Sequence, residues 1–148
     1  MNVFEVFIKG AREGIVTLYN IAPTLIGLIV SVTMLKASGG LEALTNLLSP
    51  FSEKIGFPSE LLPMTLLRPI SGGGSTALLN QALKDFGPDS YLGRCASVIA
   101  GSTETTFYAV TLYFNSIKIK KIRHTLFAAL VADFTAAFVA VITVNLFF

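Results

Sequence analysis

Two polar interruptions inside otherwise apolar, helix-patterned runs set the terms for this chain. The first is Arg68-Pro69-Ile70-Ser71-Gly72-Gly73-Gly74-Ser75-Thr76 and the second is Gly101-Ser102-Thr103-Glu104-Thr105-Thr106. Each falls near the middle of its run. In so apolar a chain such breaks imply unwound backbone at membrane depth, which survives only where protein or a watered cavity surrounds it. Paired interruptions of this kind point to a site near the bilayer midplane.

The composition supports that setting. Of the 148 residues, 53% are hydrophobic and 14% charged, against about 25% charged in soluble domains. Mean hydropathy is +0.70. A net charge of +2 gives no reason to expect nucleic acid as a partner. The length fits a single domain, residues 1–148. One cysteine, Cys95, excludes an internal disulfide and a multi-cysteine metal site, and a buried thiol is expected. The first long apolar segment is too long for a signal h-region and lacks a cleavage pattern, so it is expected to stay in place.

Residues 2–13 put Val3, Phe4, Phe7, Ile8 and Ala11 on one helical face with Glu5, Lys9 and Arg12 elsewhere, as in a short helix on a membrane surface. Residues 15–35 carry no charge and reach the roughly 20 residues a spanning helix needs. Asn20 and Pro23 lie inside this segment. Gly39-Gly40 ends it, and Leu41, Leu44, Leu47, Leu48 and Phe51 then recur at helical spacing over a stretch too short to span. Ser59 can cap the next helix, which meets Pro69 and the glycines. A second, residues 76–86, is expected with Ser75 as its cap and Gly87-Pro88 as its stop. Ten helical residues rise about 15 Å, half of the hydrocarbon core. Two such half-helices make a re-entrant hairpin.

Asp89 or Ser90 then caps residues 91–100, Gly101 interrupts, Ser102 can recap, and residues 103–115 continue a discontinuous span. The basic cluster Lys118, Lys120, Lys121, Arg123 with His124 precedes a final span, residues 125–148, which holds Asp133. The expected fold class is therefore an all-α integral membrane protein. It has three spanning helices, one of them discontinuous, a re-entrant helical hairpin and short interfacial helices. Lys9, Arg12 and the 118–123 cluster share a side, so the positive-inside rule puts the N-terminus in the cytoplasm and the C-terminus outside. The expected location is the cell membrane, multi-pass.

Chemistry concentrates at the breaks. A carboxylate at that depth costs a few kcal/mol and marks Glu104 as a site candidate; it can also cap the following half-helix. Arg68 stands at a half-helix C-terminus, where a cation is favoured. It can pair with Glu104 or Asp133, meet an anionic group, or face elsewhere. Ser71, Gly72, Gly73, Gly74 and Ser75 leave amides and hydroxyls at a helix N-terminus, an arrangement that binds anions. The same glycines can simply permit a sharp hairpin. Ser102, Thr103, Thr105 and Thr106 supply hydroxyls beside Glu104, although membrane threonines also bond their own helix. Asp133 lies ten residues past Arg123, roughly 15 Å into the bilayer, as a site residue, proton relay or structural partner.

No enzyme chemistry assembles from these residues. The glycine loop lacks the Gly-Lys-Ser/Thr ending of a phosphate loop and no strand precedes it. A Ser–His–Asp set from Ser71 or Ser102, His124 and Asp133 fails because His124 is at the surface and the serines are deep. No metal and no cofactor is expected.

Several phrases together carry a resemblance. They are Phe7-Ile8-Lys9-Gly10-Ala11-Arg12-Glu13-Gly14, Lys36-Ala37-Ser38-Gly39-Gly40, Arg68-Pro69-Ile70-Ser71-Gly72 and Gly87-Pro88-Asp89-Ser90. The most specific are Gly101-Ser102-Thr103-Glu104-Thr105-Thr106-Phe107-Tyr108 and Arg123-His124 with Ala132-Asp133 after it. Across essentially its whole length the chain resembles the spore maturation protein B family of endospore-forming bacteria. It departs from that pattern at Gly73-Gly74-Ser75, where fewer glycines are usual, and at Asn20, where a basic residue is common.

The resemblance implies a membrane domain of the nucleoside recognition or Gate type. Such a domain is similar to one Gate repeat of concentrative nucleoside transporters and to segments of ferrous iron transport protein B. It also implies a part in spore core dehydration and spore heat resistance, without fixing a molecular activity. A single repeat with an odd number of crossings needs an oppositely oriented mate around a midplane site. The expected mate is an inverted copy or, as the resemblance suggests, a spore maturation protein A-like chain. The expected function is a half-transporter or channel subunit for a small polar or anionic solute. The alternative is a non-transporting membrane scaffold for a sporulation complex.

Overall fold

A computed structural model describes residues 2–119 and 121–148, with the side chains at 21, 24, 25, 28, 32 and 115 excepted; Lys120 of the basic cluster lies outside the described residues. The described residues form seven α-helices and one 3-10 turn and no strand: α1 (Val3–Ala37), α2 (Gly40–Lys54), the turn Ser59–Leu61, α3 (Leu62–Leu67), α4 (Gly72–Phe86), α5 (Tyr91–Ser102), α6 (Thr106–Ser116) and α7 (Thr125–Phe147).

The amphipathic start of the chain is not a separate surface helix. It runs unbroken into the uncharged segment as a single helix of 35 residues, about 52 Å long. Gly10 and Gly14 are its only weak points there, and each costs about 1 kcal/mol in a helix interior, too little to stop one. Pro23 also lies within this helix. Gly39, at φ 72°, ends it, and the Ser38 and Gly39 amides close back onto Met34 O and Lys36 O.

The core lies where α3, α4, α5 and α7 meet. Leu61, Met64, Cys95, Ala96 and Ile99 are buried against Ala137, Ala140, Val141 and Val144. Small side chains on both α5 and α7 let their backbones approach closely. Phe57 stacks on Phe138 with ring centroids 6.4 Å apart. Outside this core many large apolar side chains stay exposed. Phe127, Phe134, Val139, Ile142 and Leu146 of α7 are all exposed. Among the described residues α7 is the one helix long and apolar enough to cross a membrane by length and composition, with mean hydropathy 2.2 and only 22% of its most apolar window buried.

Both breaks occur as chain breaks between helices, with shifted edges. The three glycines are not a loop: they form the first turn of α4, capped by Ser71, whose Oγ accepts the Gly74 amide at 3.1 Å. Ser75 is therefore inside the helix and is not its cap. Gly101 and Ser102 complete α5, so Ser102 recaps nothing, and the unwound residues are Thr103, Glu104 and Thr105. Ser90, of the two expected candidates, caps α5 by accepting the Gly93 amide. Ser59 makes no side-chain cap; it opens the 3-10 turn that leads into α3. Leu61 and Met64 line one cavity with Ala82 and Phe86, while Leu67 packs beside Gly74, so α3 and α4 run antiparallel.

Candidate functional site

The two breaks meet, and Arg68 is what joins them. Its Nε donates to Thr103 Oγ1 at 3.1 Å and its Nη2 to Ala100 O and Thr103 O at 2.8 and 2.7 Å. Its Nη1 donates to Ser75 Oγ at 3.3 Å. Four of the five guanidinium N–H donors are thereby engaged. The carbonyls it reaches close the C-terminal end of α5, where the helix dipole favours a cation. Arg68 thus serves another helix's end as well as standing at its own. The expected ion pair with Glu104 or Asp133 does not form; among the described residues the one ion pair is Arg94–Asp89 at 3.6 Å. Neutral carbonyls win because a planar fork fits two converging C=O groups, and those groups would otherwise lack partners.

Backbone and packing tie the breaks a second time. The Phe107 amide in the first turn of α6 donates to Pro69 O at 2.9 Å. A Cβ on Gly72 would stand 2.9 Å from Thr105 Oγ1, so only a glycine allows that approach.

Asp133 reaches the same break from α7. Its Oδ2 accepts from Thr106 Oγ1 at 2.5 Å, and its Oδ1 lies 3.4 Å from the Glu104 amide. A carboxylate beside the positive end of α6 is the favoured arrangement. Glu104 itself is exposed and only approaches its neighbour, the Thr105 amide, at 3.4 Å. Neither carboxylate bonds a backbone amide of α6 itself: Glu104 approaches the Thr105 amide, and Asp133 meets the Glu104 amide and the Thr106 hydroxyl.

Two cavities, each about 310 Å³, flank the crossing, and Arg68, Ser75 and Thr103 line neither. Ser71, Gly72, Gly73 and Thr105 line the first, with Ile29, Ile70 and Tyr108 as its apolar walls. No carboxylate lines it, and the Gly72 and Gly73 amides at the start of α4 have no acceptor among the described residues. Glu104, Thr106 and Asp133 line the second, between α6 and α7. The first cavity suits a group that accepts hydrogen bonds and the second one that donates them.

Of the residues singled out in the sequence, the structure gathers Arg68, Ser71, Gly72, Gly73, Gly74, Ser75, Thr103, Glu104, Thr105, Thr106 and Asp133 around the crossing of the breaks. Ser102 is exposed at the end of α5 and joins none of their hydrogen bonds. Ile29, Ala100 and Tyr108 belong to the site and were not expected. Tyr108 lies in the first turn of α6, three residues after the unwound Thr105. The Ala100 contribution is a carbonyl, which side-chain identity does not reveal.

No protein-family model matches the chain, and no solved structure matches it. It is 40% identical over 145 residues to spore maturation protein B of Bacillus subtilis (strain 168), an alignment covering 98% of this chain and 82% of that relative. With identity of that order along nearly its full length, the chain belongs to the spore maturation protein B family.

Proposed function

We propose that this chain acts in spore maturation as one half of a membrane transporter or channel, moving a small polar or anionic solute together with a partner chain. The observation that carries the reading is the crossing of the two breaks. Helix ends, a bound guanidinium and a carboxylate converge in a molecule that exposes many large apolar side chains. Unwound backbone of this kind is sustained at membrane depth where it borders a cavity. The exposed apolar side chains of α7 and the uncharged stretch of α1 supply lipid-facing surface for spans. Placed in a bilayer, α3 and α4 enter and leave on one side, and α5 with α6 forms a broken span. The first cavity, lined by amides and hydroxyls, is the solute site; the role requires no metal, cofactor or covalent chemistry.

The test is flux in proteoliposomes containing the chain and its partner, with inorganic phosphate, a dicarboxylate and a neutral nucleoside as probes. Gly73 lines the first cavity and a Cβ there meets nothing within 4 Å, so Gly73→Val is expected to narrow the site, with its Tm checking that the fold is kept. Flux lost in Gly73→Val with assembly intact supports the reading. Unchanged flux rejects that site, and absence of flux for every probe, with assembly sensitive to Glu104→Gln, favours the scaffold.

A further inference from the structure

Glu104 has no counter-charge among the described residues. Its carboxylate is exposed, and no Lys, Arg or His lies in ion-pair reach. Asp133, which faces the Glu104 amide, is eight residues past the start of α7, about 12 Å along that helix. In a span this places Glu104 well inside the hydrocarbon, where an unpaired charge costs a few kcal/mol. Beside it the groove between α6 and α7 has small side chains, Ala109, Ala129 and Ala132, along its walls. Its volume of about 310 Å³ admits a long side chain from outside.

A second copy of this chain does not supply the missing charge. Arg68, at the depth of the breaks, is held by Ala100, Thr103 and Ser75. The other described cations sit in the first third of α1, in the first or last turn of a helix, or in the segment before α7. Within α1, Arg12 is 17 residues from Ile29, which lies beside the breaks, about 25 Å of helix. An upright or an inverted copy therefore brings cations set back from the breaks: along α1 the nearest, Lys36, is seven residues past Ile29, about 10 Å of helix.

We infer that Glu104 is an interface residue: a different membrane chain lays a helix in the α6–α7 groove and sets a Lys or Arg against this carboxylate. The inference rests on the membrane placement in the proposed function and not on transport. Lipid tails offer no charge to Glu104, so the occupant is a protein helix and not a lipid.

Tyr113 borders the groove and is 65% exposed, which suits it to carry a photoreactive group. Full-length Tyr113→benzoylphenylalanine chain is irradiated in sporulating membranes of its own host, with Ile142→benzoylphenylalanine, on the outer face of α7, as control. The expected product joins this chain to a protein of different mass, through a peptide that holds a Lys or Arg within an apolar helix. Its yield falls about tenfold in Glu104→Gln, the loss of roughly 1.4 kcal/mol, and persists in Glu104→Asp. Glu104→Lys abolishes it, and exchanging the partner's basic residue for Glu restores it. An adduct of twice this chain's mass, adducts with lipid alone, or a yield indifferent to Glu104→Gln overturns the inference. Stabilisation of the isolated chain by sodium ions, lost in Glu104→Gln, overturns it too, by making Glu104 a cation site. Charge-dependent capture without flux leaves the inference standing and removes transport. Flux by the chain with its partner, with a crosslink yield that Glu104→Lys leaves unchanged, removes the inference and leaves transport standing.

Discussion

Arg68 and Asp133 attend opposite ends of one break without pairing with each other. The guanidinium closes the carbonyl end of α5 and the carboxylate faces the amide end of α6. Each charge complements the partial charge of the helix end it meets. One side chain comes from the other break and one from α7, so the unwound residues 103–105 are held by groups distant in sequence.

Replacing Arg68 by Lys keeps the charge and loses the fork. An ammonium cannot reach Ala100 O, Thr103 O, Thr103 Oγ1 and Ser75 Oγ together. Arg68→Lys is expected to lower stability by about 1–3 kcal/mol, read as a fall in Tm of the purified chain, and Arg68→Ala by more. A Lys variant with unchanged Tm would mean the carbonyls find other partners.

The contact between the breaks predicts a contrast between adjacent glycines. Gly72→Ala pushes against Thr105 Oγ1 and should cost about 1–3 kcal/mol, as overpacking does. Gly73→Ala meets open space and should be neutral or stabilising by up to about 1 kcal/mol. Adding Thr105→Ala to Gly72→Ala should recover most of the loss. Equal effects of the two glycine changes in thermal unfolding would show that the close approach is not what constrains Gly72.

Asp133 and Thr106 should behave as a coupled pair. Asp133→Asn removes the anion at the start of α6 and is expected to cost about 0.5–2 kcal/mol. In a Thr106→Val background the same change should cost markedly less, since the short hydrogen bond is already gone. A double-mutant cycle with no coupling would assign Asp133 elsewhere.

The turn between α4 and α5 supplies a sharper case. A Cβ on Gly93 would collide with the Gly87 carbonyl, whereas one on Gly101 meets nothing within 4 Å. Gly93→Ala should destabilise by about 2 kcal/mol or more, because a backbone carbonyl cannot turn aside as a side chain can. Gly101→Ala, inside α5, should be neutral or mildly stabilising. Purified yield and Tm of the two variants provide the comparison.

What could be read from the residues followed how local the determinant is. The existence of both breaks, the Gly87-Pro88 stop, a cap at Asp89 or Ser90 and the start of α7 near Thr125 rest on neighbours in sequence; the structure carries them, with Ser90 as the cap. The glycine run misled because three glycines resist helix by about 1 kcal/mol each. Packing overrides that: Leu67 sits against Gly74 and Thr105 against Gly72, which leaves Ser71, not Ser75, as the cap. Continuity of α1 was hidden by a change of pattern, from one apolar face to apolar all round, which mimics a boundary without being one. The partners of Arg68 are mostly carbonyls, and every residue has one, so nothing in residue type distinguishes Ala100 from its neighbours. A carboxylate and a guanidinium in one apolar chain suggest each other as partners, and only the fold shows that each has a helix end instead.

The hydroxyl–carboxylate bond from Thr106 to Asp133 joins residues 27 apart, and that spacing imposes an order on biogenesis. While the chain is being made, α6 leaves the ribosome well before α7, so its opening turn must wait without its carboxylate. The Pro69 carbonyl and the Arg68 guanidinium are already present by then. The broken segment can therefore dock at one end first and become fully seated only when the last helix arrives, a latch shut by the final piece synthesised.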